Sequence, residues 1–274
     1  MPRVCAVSYL NTVPLVWGML HGSGPEDGRD IFDVRFALPS ACADQIASGD
    51  ADIGIVPVIE MARQKLEYFP GTGIACHGPV RSILLISKVP FREIRTLATD
   101  SGSRTSVQLA RIILAEKFGV TPRLISRPAD LTAMLGEADA ALLIGDAALR
   151  VDPERLPFET LDLGGEWVSM TGLPMVFAVW AGRKGVVQPP STAAFNNSCR
   201  YGLAHIEDIV RSESVTRDFP EPLVREYLTS HIVFELGARD YQGLDTFLER
   251  AAGLERAAGL DRTVVSLATG GISV

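Results

Sequence analysis

Short apolar runs, each stopped by a polar or proline corner and followed by a helical pattern, recur along this chain and leave it few architectures. The first, Val4 to Val7, ends in Ser8-Tyr9-Leu10-Asn11-Thr12-Val13-Pro14-Leu15. Pro14 to Leu20 suits a short helix, and the Gly- and Asp-rich stretch from Gly22 to Asp30 suits a surface loop. Ile31 to Leu38 reads as a second strand, Pro39-Ser40 opens a helix through Ser48, and Ala51 to Val56 is a buried strand stopping at Pro57. Strands alternating with helices point to an α/β fold. In an open sheet of that class, ligands lie beyond the carboxyl ends of the strands. Ser8, Asn11 and Thr12 therefore stand where a small molecule would meet hydroxyls and a carboxamide.

The same order returns downstream. Ile74 to His77 and Arg81 to Ser87 are predicted strands around Gly78-Pro79, where the chain is expected to cross into a second unit. That unit reads as strand Thr96 to Thr99, helix Ser103 to Phe118, strand Arg123 to Ser126, helix Asp130 to Leu135 and strand Ala138 to Ile144. After a loop with Pro153 and Pro157 and a short helix at Glu166 to Met170, the uniformly apolar Met175 to Ala181 can carry the chain back. The remainder is mostly helical by pattern, over Thr192 to Arg211, Pro222 to Phe234 and Tyr241 to Ala252. Two α/β lobes, two crossings and a helical C-terminal tail resemble a type II periplasmic-binding-protein-like fold with a ligand cleft between the lobes. Residues 1–81 with 180–274 form the expected first lobe, and 82–179 the second. This architecture serves solute receptors, sensor domains and a few enzymes, so function must come from the residues facing the cleft.

With 274 residues, 47% of them hydrophobic, the chain can bury a large core. A net charge of -7 argues against nucleic acid or an anionic membrane as partner, so an anionic ligand needs a dedicated arginine or helix end. Met1-Pro2-Arg3 leads into an apolar run too short for a signal sequence, and no segment reads as a membrane span, so the expected location is the cytoplasm. Cys5, Cys42, Cys76 and Cys199 lack paired spacing and read as buried free thiols. The oligomeric state is left open.

Ser103-Arg104-Thr105-Ser106 gathers three hydroxyls, a guanidinium and free backbone N–H groups where a long helix begins, an arrangement suited to a carboxylate. The plainer reading is that Ser103 caps the helix and Arg104 meets solvent. Pro39-Ser40 makes a similar corner in the first lobe, where Ser40 either binds a second anionic group or only caps. Arg81 and Ser82 lie at the crossing, within reach of the cleft. Asp146, after Gly145 at another strand end, either contacts a ligand hydroxyl or caps the helix that follows. Glu60 is a conceivable acid/base group but reads more simply as a helix-surface charge. Of the histidines, only His77 falls near the crossing, and no metal-ligand spacing, P-loop or dinucleotide fingerprint is present. No cofactor is expected.

These segments, in this order, resemble the menaquinone-biosynthesis chorismate dehydratase family. The resemblance rests on Ser8 to Leu15, Pro39-Ser40, Gly78 to Leu85, Ser103 to Val107, Gly145-Asp146 and Thr171 to Pro174, and continues at Glu235-Leu236-Gly237 and Gly243-Leu244. It implies a cytoplasmic lyase converting chorismate to 3-[(1-carboxyvinyl)oxy]benzoate and water. It also implies a small dianionic substrate, with a hydroxyl-rich helix N-terminus in each lobe available to one carboxylate. With no obvious histidine base or metal in these motifs, the expectation is that the substrate's enolpyruvyl carboxylate takes the proton while Asn11 orients it. Ser103 to Ser106 with Arg104 would bind one carboxylate, and Ser40 with Arg81 and Ser82 the other or the leaving hydroxyl. Val58 after Pro57 and the Gly22 to Asp30 loop fall outside the resemblance. Two alternatives share the fold: a sister enzyme forming 1,4-dihydroxy-6-naphthoate with a cleft histidine, and a non-catalytic small-anion-binding protein.

Overall fold

The alternation of apolar runs and helices sorts into two sheets in the computed structural model, which describes residues 1–257. From the N-terminus come β1 (Arg3–Val7), α1 (Val13–His21), β2 (Asp33–Ala37), α2 (Pro39–Ser48), β3 (Ile53–Pro57), α3 (Val58–Arg63) and β4 (Glu67–Cys76). Next are β5 (Ile83–Ser87), β6 (Thr96–Asp100), α4 (Thr105–Phe118), β7 (Arg123–Arg127), α5 (Leu131–Glu137), β8 (Ala140–Ile144), α6 (Gly145–Leu149), β9 (Glu159–Asp162) and α7 (Leu163–Thr171). The chain ends its described course with β10 (Met175–Gly182), α8 (Pro189–Ala204), α9 (Ile206–Arg217), α10 (Glu221–Glu226), β11 (Val233–Glu235) and α11 (Ala238–Ala257).

One sheet has the order β11-β4-β10-β3-β1-β2 and the other β7-β6-β8-β5-β9. Each is built around the same device. β1 lies between β2 and β3 and is parallel to both, as β6 is to β7 and β8. Beside each parallel trio runs an antiparallel strand that has just crossed from the other sheet, β10 against β3 and β5 against β8. Strand order therefore reverses at β1 and at β6, which makes their carboxyl ends the places where such sheets open a crevice. β3, β5, β8 and β10 are buried at every residue, as expected of strands covered on both faces, whereas the edge strand β2 leaves Phe36 half exposed.

Close packing fixes the tail against the first sheet. Trp180 of β10 stacks on Phe195 of α8 at 4.5 Å, and Phe195 also meets Phe32 and Phe69. At Gly202 a Cβ would lie 2.1 Å from the Pro14 carbonyl oxygen, so the close approach of α8 to the start of α1 needs a residue without a side chain there. All four cysteines are buried and free, as their apolar settings suggest.

The structure departs from the sequence pattern in the tail and at two strands. The helix expected over Thr192 to Arg211 breaks at His205, whose backbone (φ -112°, ψ 29°) leaves the helical region between α8 and α9. The helix expected over Pro222 to Phe234 stops early. A π-helical turn, Tyr227–His231, follows α10, and Val233–Glu235 becomes the edge strand β11 on β4. β4 begins at Glu67 rather than Ile74, because the strand runs on through Pro70-Gly71 as an irregularity with Gly71 at φ 107°. β9 was not anticipated. β10 lies in the first sheet from Met175 onward, so the expected boundary between 179 and 180 falls inside a strand. No described helix is long and apolar enough to cross a membrane.

Candidate active site

The corner after β1 carries the first group of polar atoms. Ser8 donates its N–H to the Ala37 carbonyl at 3.0 Å, and the chain then makes a single 3-10 turn, Leu10–Thr12, before α1. Asn11 projects from this turn, and its Nδ2 donates to the Tyr227 hydroxyl at 3.1 Å. Tyr227 in turn donates to Ser82 Oγ at 2.8 Å. Burial raises the Tyr227 phenol well above its ordinary range, so it stays neutral and serves as a fixed relay. The Asn11 Oδ1 atom is buried with no partner, and an amide left half satisfied is unusual in a protein interior.

The corner after β6 supplies the second group. Asp100 Oδ1 accepts the Gly102 N–H at 2.8 Å, and the Asp100 carbonyl accepts the Ser103 N–H at 3.0 Å, tightening the approach to α4. Burial pushes the Asp100 carboxyl upward, opposed by the Gly102 bond. Ser103 Oγ is buried with no partner, while Thr105 and Ser106 occupy the first turn of the 14-residue α4, where backbone N–H groups lack helical acceptors.

These two corners face one cavity with an empty volume of about 540 Å³, of which about 60 Å³ admits the centre of a water molecule. Asn11, Ser82, Ser103, Arg104, Thr105 and Ser106 supply its polar wall, and Val7, Ile74, Val80, Ile83, Ile144 and Phe177 much of its apolar wall. Ser40 donates its backbone N–H to the Gly102 carbonyl at 3.2 Å, so the start of α2 in the first lobe touches the corner after β6 in the second. Tyr9 closes one end with its ring against Gly145. There φ is 57° and a Cβ would sit 2.7 Å from the ring. Burial, with the charges of Asp100 and Asp146, raises the Tyr9 phenol well above its ordinary value. Among the described residues, no aspartate, glutamate, histidine or lysine is on this cavity wall.

Several expected site residues sit elsewhere. Arg104 reaches the wall, but its guanidinium pairs with Asp44 at 2.7 Å and Glu60 at 3.0 Å, both from the other sheet's helices. Glu60 also pairs with Arg63 at 3.0 Å, so this buried carboxylate is held between two arginines. Arg81 points away from the cavity. Its backbone takes φ 65°, its N–H donates to Asp162, and its guanidinium donates to the carbonyls of Ala148 and Val151 at 3.1 and 2.6 Å. Asp146 is committed to protein partners: Oδ1 accepts the Leu10 N–H at 3.0 Å and Oδ2 accepts from Arg217. Ser8 is exposed, Thr12 is fully buried beneath the turn, and Ser40 is beside the cavity, not on its wall. His77 pairs with Asp240 at 2.8 Å away from the cavity.

Tyr227 and Tyr9 are the residues that the pattern did not single out. A tyrosine needs a partner for its hydroxyl once buried, which is the one signal the sequence holds for Tyr227, set between Glu226 and Thr229. Among the described residues no group of three His, Cys, Asp or Glu side chains is arranged to hold a metal ion.

Residues 2–253 match the family model described as menaquinone biosynthesis. The chain is 30% identical over 243 residues to a chorismate dehydratase of Thermus thermophilus, covering 81% of this chain and 88% of that protein. It is 23% identical to a chorismate dehydratase of Campylobacter jejuni, over 90% of this chain and 96% of that protein. Among solved structures it resembles protein AF1704 of Archaeoglobus fulgidus (TM-score 0.70, 16% identity, 94% of this chain and 98% of that one). It also resembles the periplasmic aliphatic sulphonate binding protein of Escherichia coli (TM-score 0.62, 16% identity, 97% and 90%). At these identities the likeness to solved structures establishes the two-lobed, periplasmic-binding-protein-like fold.

Proposed function

The chain belongs to the menaquinone biosynthesis family, and from that premise we propose that it is a chorismate dehydratase, a hydro-lyase converting chorismate to 3-[(1-carboxyvinyl)oxy]benzoate and water. The reaction removes the proton from the ether-bearing ring carbon and the hydroxyl from its neighbour, and the ring becomes aromatic. Aromatisation makes the overall step favourable, so the protein must lower the barrier to breaking a weakly acidic C–H bond.

One observation carries the reading of how it does so: among the described residues the cavity wall holds hydroxyls, a carboxamide, a guanidinium and helix N–H groups, and no carboxylate, imidazole or amine side chain lines it. Tyr9 stays protonated because burial raises its phenol. The base is therefore the substrate's own enolpyruvyl carboxylate, which lies beside the proton to be removed. Asn11 orients it through the Nδ2 proton not used on Tyr227, while Oδ1 is open to accept from the ring hydroxyl. The ring carboxylate sits at the α4 N-terminus against Ser103, Thr105 and Ser106, where aligned N–H dipoles favour the negative charge that spreads onto it as the C–H bond breaks. As the adjacent C–O bond breaks, the departing hydroxyl takes the proton held by the enolpyruvyl carboxylate and leaves as water, which restores the carboxylate.

Ser82 holds the far end of the Asn11–Tyr227 relay. Because Tyr227 donates to it, its own proton is free for substrate. Arg104, already paired with two carboxylates, ties the corners together. The sheet of β1 to β4, β10 and β11 with its helices acts as one lobe and the sheet of β5 to β9 with its helices as the other. Their closure around the cavity excludes water from the reacting carbon. We place the enzyme in the cytoplasm, where its substrate is a free small molecule. A naphthoate-forming sister enzyme would need a cleft base, and His77 is engaged with Asp240 elsewhere.

The test is incubation of purified protein with chorismate in the presence of a chelator, followed by chromatography and mass measurement. Loss of one water to an aromatic dicarboxylate, abolished in Asn11→Ala, is the expected result. Unchanged chorismate with the wild-type protein overturns the proposal.

A further inference from the structure

We propose that Asp146 is a positioning residue for the turn carrying Asn11, supplied from the opposite sheet so that the site is complete only when the lobes are together. Its effect on turnover rests on the dehydratase reading; its effect on the turn rests on geometry alone.

The 3-10 turn Leu10–Thr12 starts without a cap of its own: the preceding residue is Tyr9, whose side chain makes no capping hydrogen bond. The first N–H groups of such a turn have no internal acceptor, and serine, threonine, aspartate or asparagine at the preceding position usually supplies one. Here the Leu10 N–H is met at 3.0 Å by Asp146 Oδ1, a carboxylate 136 positions away in sequence. It comes from the first turn of α6, which follows β8 of the other sheet.

The second carboxylate oxygen accepts from Arg217 Nη1, and the same nitrogen donates to the Ser8 carbonyl at 2.9 Å. Arg217 is itself steadied by Glu213 through Nε at 2.6 Å and through its own carbonyl, which accepts from Arg150 at 2.7 Å. One ion pair thus grips the backbone on both sides of Tyr9, at the Ser8 carbonyl and the Leu10 N–H. The Tyr9 ring packs on Gly145, the residue before Asp146. Asn11 follows directly. Asp146 is absent from the cavity wall, so it acts on substrate through the turn, whose Tyr9 and Asn11 both lie on that wall.

Parting the lobes would separate Asp146 from Leu10 and release the turn, which couples assembly of the site to closure. This explains why an acidic side chain at a cleft-facing strand end spends both oxygens on protein.

The test compares Asp146→Ala with Asp146→Asn, which keeps an acceptor oxygen for Leu10. In hydrogen exchange with and without 3-[(1-carboxyvinyl)oxy]benzoate, Asp146→Ala should speed exchange of the Leu10 amide by about tenfold, and Asp146→Asn much less. Turnover by Asp146→Ala should fall about 10- to 100-fold with KM little changed. Asp146→Asn should recover most of that loss, and adding Asp146→Ala to Asn11→Ala should cost clearly less than Asp146→Ala costs alone. Unchanged Leu10 exchange in Asp146→Ala, or an equal loss in both single variants, overturns the inference. A wild-type protein inactive on chorismate would overturn the dehydratase reading, leaving the exchange result to decide this one.

Discussion

Replacing Tyr227 by phenylalanine removes one oxygen and both hydrogen bonds that join the tail to the cavity wall, the one accepted from Asn11 at 3.1 Å and the one donated to Ser82 at 2.8 Å. The ring is fully buried and keeps its packing, so no large cavity opens. What remains is a buried carboxamide N–H without an acceptor, at a cost of about 1–3 kcal/mol. Taking about 2 kcal/mol, and about 2–4 °C per kcal/mol for chains of roughly this size, the melting temperature should fall by about 4–8 °C. If the same amount is lost from holding Asn11 in the transition state, turnover falls about 30-fold, since about 1.36 kcal/mol corresponds to tenfold. The assay pairs thermal unfolding with the rate of aromatic product formation followed by absorbance. A variant that melts earlier yet turns over at the wild-type rate would refute the reasoning, because the relay would then support the fold and not the chemistry.

Ser103→Ala removes a buried hydroxyl that has no protein partner, so thermal stability should hold or rise by up to about 1 kcal/mol, while KM for chorismate rises about tenfold through loss of a bond to a charged group. A lower melting temperature with unchanged KM would contradict the anion-site assignment. Gly145→Ala forces a side chain onto a φ of 57° and a Cβ to 2.7 Å from the Tyr9 ring. Beyond about 1–2 kcal/mol of backbone cost, it should displace Tyr9 and lower turnover, read by steady-state kinetics alongside melting. Burial raises the Tyr227 phenol above its unfolded value, so the native state keeps a proton that the unfolded chain releases. That contribution is intact below about pH 10 and is lost above it at about 1.4 kcal/mol per pH unit, a slope that urea unfolding should find reduced in Tyr227→Phe.

The parts of the site legible in the sequence are those where a local rule suffices. Val4 to Val7 ending in Ser8 to Thr12, and Thr96 to Thr99 followed by Ser103 to Ser106, announce strand ends rich in hydrogen-bonding groups, and the topology puts both at points where strand order reverses. Charged residues were harder to read because their partners are distant: Arg104 finds Asp44 and Glu60, and Asp146 finds Arg217, through contacts that no spacing encodes. Arg81 lies at the crossing as expected, yet its positive φ and the grip of Asp162 on its N–H turn its guanidinium toward α6. Tyr227 lies in a mixed polar and apolar tail whose helical period continues into a π turn and a three-residue strand, too short to leave an alternating pattern.

The central claim is that the substrate supplies the base, and the most direct measurement is single-turnover dehydration of chorismate esterified on its enolpyruvyl carboxylate, at saturating enzyme. With the ring carboxylate still free to occupy the α4 N-terminus, the ester should bind but lose water about 10²–10⁴ times more slowly than chorismate, the usual contribution of a positioned base. Dehydration of the ester within a few-fold of the chorismate rate would mean that the protein provides the base and would contradict the account.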